Sequence, residues 1–143
     1  MSVNLERDLK IRWKLLCIYY DRLYSQKREG PDPMYKLAQD EGIDQNIVNA
    51  NVIYLLDEGL LRGQVSYTSS GALPYVTRIY STGMQLVEKL YEKSQSNLKP
   101  EIKSKLDAIQ STVDRVLTWI ELCIKGKNLV PEIIALMKDI PLG

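Results

Sequence analysis

Apolar and polar residues repeat with a helical period over most of this chain, and with a strand-like period only near its middle. Over residues 5–26 an apolar stripe stands opposite a polar face, which predicts a core helix with one solvated face. The polar positions of this helix include Lys10 and Lys14. The apolar stripe recurs at Leu9, Trp13, Leu16, Tyr20 and Leu23. Gly30 and Pro31 interrupt the pattern and predict a loop.

Two further helices are predicted before the middle of the chain. Asp32 and Asp44 can each cap a helix N-terminus with a side-chain oxygen, so we expect helices over residues 33–41 and 45–58. A glycine follows each of these segments and permits the left-handed turn that ends a helix.

A β-hairpin is predicted next, because residues 60–68 and 75–80 alternate weakly between apolar and polar side chains. Ser69, Ser70 and Gly71 begin the turn between the two strands. The pattern leaves two choices for the inner face of the second strand: Tyr75, Thr77 and Ile79, or Val76, Arg78 and Tyr80. Ser81 is the expected cap of a fourth helix.

The C-terminal part begins after a polar break at residues 94–100, which predicts one domain over residues 1–94 and a helical segment over 95–143. This segment carries a heptad stripe that would line a single helix. The stripe comprises Ile102, Leu106, Ile109, Val113, Val116, Ile120 and Cys123. It could pack between two chains or fold back onto the first helix, and we expect the former, in a dimer. A short helix is expected after Pro131.

Composition excludes several classes of function. The chain of 143 residues has no histidine, and its two cysteines lack metal-ligand spacing, so we expect no metal, no cofactor and no enzyme activity. Cys17 and Cys123 are expected to be buried, reduced thiols. No apolar run is long enough to span a bilayer, and the polar N-terminus indicates a cytoplasmic protein. With 19 basic and 18 acidic residues, the net charge of +1 does not by itself indicate nucleic acid.

The middle of the chain resembles winged helix–turn–helix regulators of the MarR-like and PadR-like type. Two spacings carry the resemblance, which covers residues 5 to 94: Leu55, Gly59, Leu60 and Leu61, and then Ile79, Gly83 and Val87. Tyr80 stands where those families often have threonine. The resemblance implies a mostly α fold with a small β-hairpin, a winged helix–turn–helix followed by a helical extension.

The resemblance also implies which residues read DNA. Family members place base-reading residues at the positions of Gln45, Asn46, Asn49, Ala50, Ile53 and Tyr54. No lysine or arginine occurs in residues 37–61, so Arg62 and Arg78 are left to meet phosphates. Further charge could come from Lys10, Lys14, Arg22, Lys27, Arg28 and Lys36.

Two hypotheses follow. The protein could be a transcription regulator that binds double-stranded DNA as a dimer. The helix predicted over residues 45–58 would then lie in the major groove. Alternatively, it could be a winged-helix module that binds a protein partner and little or no DNA. Ile53 and Tyr54 favour the second hypothesis, because large apolar groups on an outward helix face often mark an interface.

Overall fold

A computed structural model describes residues 5–24, 31–93, 95, 100–109 and 111–126 of the chain. Within them, six α-helices accompany one two-stranded antiparallel sheet, which confirms the predicted α+β class. The elements are α1 (Leu5–Tyr19), a π-helical turn (Tyr20–Tyr24), α2 (Pro33–Glu41), α3 (Gln45–Asp57), β1 (Leu61–Thr68), β2 (Gly71–Ile79), α4 (Ser81–Lys93), α5 (Pro100–Asp107) and α6 (Thr112–Gly126).

The chain divides into two compact units, Met1–Met84 and Gln85–Gly143. The boundary that the sequence predicts near residue 94 falls beside residues outside the described part, and it stays a prediction.

Helix α1 is more deeply buried than its sequence pattern predicts. Lys14, expected on a solvated face, is only 8% exposed and makes an ion pair with Glu41 at the end of α2. When most faces of a helix are buried, a charged side chain on it needs an ion-pair partner, because burying an unpaired charge is costly. The α-helical part ends at Tyr19 and continues as the π-helical turn, and residues 25–30 lie outside the described part.

The caps of α2 and α3 confirm the helix boundaries that the sequence predicts. The Asp32 carboxylate accepts from the Met34 N–H at 3.1 Å, and the Asp44 carboxylate accepts from the Asn46 N–H at 2.8 Å. Gly59 follows α3 with φ +71°, and the next N–H donates back into the last turn of the helix. This arrangement is a Schellman motif, in which a left-handed residue satisfies carbonyls that the helix end would leave open.

The hairpin begins and ends differently from its prediction. The second strand starts at Gly71 rather than at Tyr75, so that Pro74 lies inside it, opposite Val65. Both strands of a two-stranded sheet are edge strands, where proline is tolerated. A β-bulge separates the pair Arg62–Arg78 from the pair Gly63–Val76 and leaves Thr77 without a directly opposed residue on β1.

The bulge makes both predicted inner faces of β2 wrong. Residues directly opposite each other in an antiparallel pair share a face, and Thr77 shifts the alternation by one residue. The hairpin packs against α3 and the π-helical turn. Its buried side chains are Leu61, Pro74, Val76 and Ile79.

Two glycines allow this packing. A Cβ atom on Gly63 would lie 2.0 Å from the Tyr75 carbonyl oxygen at the bulge, and one on Gly83 would lie 2.5 Å from the Leu60 carbonyl oxygen. Only glycine permits such close backbone approach. Ser81, the predicted cap, is instead the first residue of α4, and the Tyr80 carbonyl accepts the first helical hydrogen bond, from Met84.

The C-terminal unit corrects the prediction of one helix with a heptad stripe. The stripe is divided between α5 and α6, which contact each other, and an ion pair of 3.1 Å joins Arg115 to Asp107. Its described members are largely buried within one chain: Leu106, Val113, Val116 and Ile120 are buried and Ile109 is half-buried. The side chains of Ile102 and Cys123, and the helix expected after Pro131, lie outside the described part.

Candidate nucleic-acid interface

Two of the predicted base-reading residues bind within the protein. The Gln45 side-chain amide donates to the Met34 carbonyl of α2 at 3.2 Å and to the Asn49 side-chain oxygen at 2.8 Å. Asn49 is only 7% exposed. The Gln45 amide therefore joins α3 to α2 and also satisfies the buried Asn49 oxygen, since a buried polar group requires a hydrogen-bond partner.

Asn46 and Ala50 are the predicted base-reading residues that the structure leaves exposed. They stand four residues apart on α3 and therefore on one side of the helix. The Asn46 backbone N–H is held by Asp44. This exposed strip offers one amide, which can pair with adenine, and one methyl group, which can contact a thymine methyl.

Ile53 and Tyr54, the predicted partner-binding residues, are both half-buried rather than fully outward. The Arg12 guanidinium of α1 lies 3.6 Å from the centroid of the Tyr54 ring, and the Arg12 Nε donates to Asn51 Oδ1 at 2.8 Å. Burial raises the pKa of Tyr54, and the nearby Arg12 cation opposes that rise. Tyr54 thus forms a cation–π contact within the protein.

The other basic residues that could supply charge are largely matched by acidic ones. Lys10 and Lys14 both pair with Glu41, and Lys36 pairs with Asp40 at 2.7 Å. Arg22 donates to the Pro31 carbonyl. Lys27 and Arg28 lie outside the described residues. Such pairing lowers the positive field that α1 and α2 could direct toward an anionic ligand.

Arg62 and Arg78 differ from these residues. They are direct cross-strand partners in the hairpin, and both are exposed. Within the described part of the chain, neither has a carboxylate at ion-pair distance. Like charges that face each other across strands destabilise the sheet. An anion bound between them would relieve this repulsion.

The arginine pair belongs to a larger surface, which we call the outer face of the hairpin. It comprises Arg62, Gln64, Ser66, Leu73, Tyr75 and Arg78, all of which are exposed. Tyr75 is 64% exposed and stands directly opposite Gln64. Tyr67, 85% exposed, lies near the tip on the other face.

Sequence reasoning did not single out Tyr75, because the two strand alternations that it left open place this side chain on opposite faces. The available signal was Gly63, since an isolated glycine in a strand often marks a bulge. A bulge there reverses the alternation and directs Tyr75 outward.

Comparison of the chain with protein-family models, curated proteins and solved structures found no match. Among residues whose placement is described, no group of three or more acidic, cysteine or histidine side chains could hold a metal ion. Over the same residues, no helix is both long and apolar enough to cross a membrane.

Proposed function

We propose that the N-terminal part of the chain is a winged helix–turn–helix domain and that the protein is a DNA-binding transcription regulator. The order of elements supports this proposal: α2, a tight turn, α3, and then a hairpin that packs against α3. In such an arrangement the second helix of the pair enters the major groove.

The observation that carries the proposal is the arginine pair Arg62–Arg78. It is an exposed cationic pair on the hairpin that follows α3, and it lacks a carboxylate partner in the described chain. Asn46 and Ala50 would contact base edges, while the arginines would contact phosphates. Phosphate contacts set the position and base contacts the specificity of such a complex.

The charge distribution also predicts the strength of binding. Each phosphate contact contributes about 0.9 to the slope of log affinity against log salt concentration. Two arginines therefore contribute a slope of roughly 2, well below that of repressors with many contacts. We expect modest affinity that is visible at low salt.

Fluorescence anisotropy with random duplex fragments tests the proposal. Replacing both arginines (Arg62→Gln with Arg78→Gln) should abolish most binding at low salt and reduce the salt slope by roughly 2. Lys36→Gln is the matched control, because Lys36 is exposed but paired with Asp40. The proposal fails if wild-type protein shows no duplex binding at low salt, or if the control variant loses as much as the double variant.

A second candidate function is a winged-helix module that binds a protein partner. The ion pairs of Lys10, Lys14 and Lys36 favour it, because they leave α3 beside a surface with little net positive charge. Ile53 is one of the apolar residues on α3 that remain partly exposed. Ile53→Asp should then abolish capture of a partner, whereas Asp57→Asn, an exposed change on the same helix, should not.

Dimerisation remains part of the proposal and needs its own test. Burial of Leu106, Val116 and Ile120 within one chain means that the stripe does not need a second chain to cover it. The role of a dimer would be to place two α3 helices on half-sites one helical turn apart. Sedimentation of the full chain tests this directly: a monomer at all concentrations would remove the dimer from the proposal.

A further inference from the structure

We propose that the outer face of the hairpin binds single-stranded nucleic acid, with an unpaired base stacked on Tyr75 and its neighbouring phosphate held between Arg62 and Arg78. This proposal does not depend on α3 entering a groove, and it concerns a different form of nucleic acid from the duplex considered above.

Tyr75 presents the stacking surface. Its side chain is 64% exposed although it stands in the middle of a strand, where tyrosine more often contributes area to a packed face. An aromatic ring on an exposed sheet face can stack on a base of any sequence, because every base has a π-face. Gln64, directly opposite, carries an amide that can donate to and accept from the edge of that base.

The arginine pair supplies the matching charge. Arg62 stands two residues before Gln64 on β1. The pair Arg62–Arg78 therefore lies next to the pair Gln64–Tyr75 on the same face of the hairpin. Residues two apart along a strand are separated by about 6.7 Å, a distance that one nucleotide can bridge between its base and its phosphate. An anion at this position would offset the repulsion between the two guanidinium groups, for which the described chain offers no carboxylate.

Charge and stacking together select one occupant. In a duplex both faces of a base are covered by its neighbours, so Tyr75 could stack only on a base that is unpaired or extruded. An acidic peptide could bind the arginines but would gain little from the tyrosine ring. A single strand uses both groups, which is the combination found in proteins that bind unpaired nucleic acid.

Anisotropy of the full chain with labelled oligo-dT, oligo-U and a dT·dA duplex tests the proposal. Tyr75→Ala should weaken oligo-dT binding by roughly tenfold or more, the loss typical of one stacked base. Tyr75→Phe should retain binding because it keeps the ring. Tyr67→Ala is the matched control: this tyrosine is even more exposed but lies on the other face of the hairpin. Near-ultraviolet circular dichroism would verify that each variant is folded.

The probes also separate the sources of the ligand. Similar binding of oligo-dT and oligo-U supports recognition of the base and phosphate that both strands share. A preference for one strand also supports the proposal and shows whether the ligand is single-stranded DNA or RNA. Replacement of both arginines by glutamine should weaken both complexes and flatten their salt dependence.

Several outcomes would overturn the proposal. These are the absence of binding to both single strands, equal losses for Tyr67→Ala and Tyr75→Ala, or displacement of oligo-dT by polyglutamate at equal charge concentration, which indicates a general anion patch. Duplex binding without single-strand binding would reject this inference while leaving the proposed regulator intact. Single-strand binding without duplex binding would reject the proposed regulator and leave this inference intact.

Discussion

Helix α3 and the hairpin both carry polar residues that sequence reasoning assigned to nucleic acid, but the protein uses them differently. On α3, Gln45 and Asn49 bind each other, and Gln45 also binds the preceding helix. On the hairpin, Arg62 and Arg78 point away from the core with no carboxylate partner in the described chain. Polar side chains thus hold elements together at α3, whereas those on the hairpin stay accessible to a ligand.

This difference has a physical cause. Helix α3 contacts α1, α2 and both strands, so a side chain on most of its surface meets another element. A two-stranded hairpin has one face that packs and one that does not. Polar groups on the packed element must find internal partners or carry a desolvation cost, whereas groups on the open face retain water or bind a ligand.

The largest expected effect is on the hairpin and follows from Gly63→Ala. The added methyl group would lie 2.0 Å from the Tyr75 carbonyl oxygen, which cannot move without breaking the bulge. We expect a loss of about 3 kcal/mol in the free energy of unfolding, measured in urea. Ser66→Ala, an exposed change on the same strand, should cost less than about 0.5 kcal/mol. Equal stabilities for the two variants would contradict the close approach at the bulge.

A smaller effect compares two asparagines of α3. Asn51 is 4% exposed, accepts from Arg12 and donates to the Ile47 carbonyl at 2.8 Å, whereas the Asn46 side chain is exposed. Asn51→Ala should destabilise the protein by about 2 kcal/mol because it leaves buried polar groups without partners. Asn46→Ala should change the unfolding free energy by less than about 0.5 kcal/mol. A similar cost for both would show that the contrast between inner and outer amides is wrong.

A third prediction concerns pH and the start of α2. Tyr19 donates to Asp32 at 2.6 Å, and burial, followed by the interaction with Asp32, raises the pKa of Tyr19 above its usual 10.0. The folded protein therefore keeps a proton that the unfolded chain releases. The stabilisation is complete below about pH 10 and falls by about 1.4 kcal/mol per pH unit above it.

Tyr19→Phe should flatten this alkaline loss, measured as urea unfolding between neutral pH and pH values above 10.0, the usual pKa of tyrosine. It should also cost about 1 kcal/mol at neutral pH through the lost hydrogen bond. Cys17→Ala is the control: burial raises the pKa of that thiol too, so this variant should remove only the part of the loss that begins near pH 9.0. An unchanged alkaline slope in Tyr19→Phe would contradict the assignment.

The smallest expected effect sharpens the hairpin side of the comparison. Arg62→Gln should stabilise the protein by about 0.5 kcal/mol at low salt, because it removes one of two like charges on opposed strands. Added salt should reduce this gain, since exposed charges are screened. A destabilisation that does not vary with salt would show instead that Arg62 has a structural partner.

Local chemistry was sufficient to predict most helix boundaries. Asp32, Asp44, Gly42 and Gly59 act through neighbours within a few residues, and the structure confirms helices at the predicted positions. The prediction that one helix carries the heptad stripe was wrong, because a periodic apolar pattern does not reveal a break in the helix between α5 and α6. Lys14 was assigned to solvent because its partner, Glu41, is distant in sequence.

The sequence by itself determined the order of helices and strands from α1 to α4, since caps, glycines and periodicity are local and their free energies act within one or two turns. Only the tertiary structure decided which polar side chains are available. One unpaired residue, Thr77, reverses the alternation of β2, turning Tyr75 outward and Val76 inward. Such a decision depends on backbone contact between strands and on packing against α3, and no pattern within a single segment contains that information.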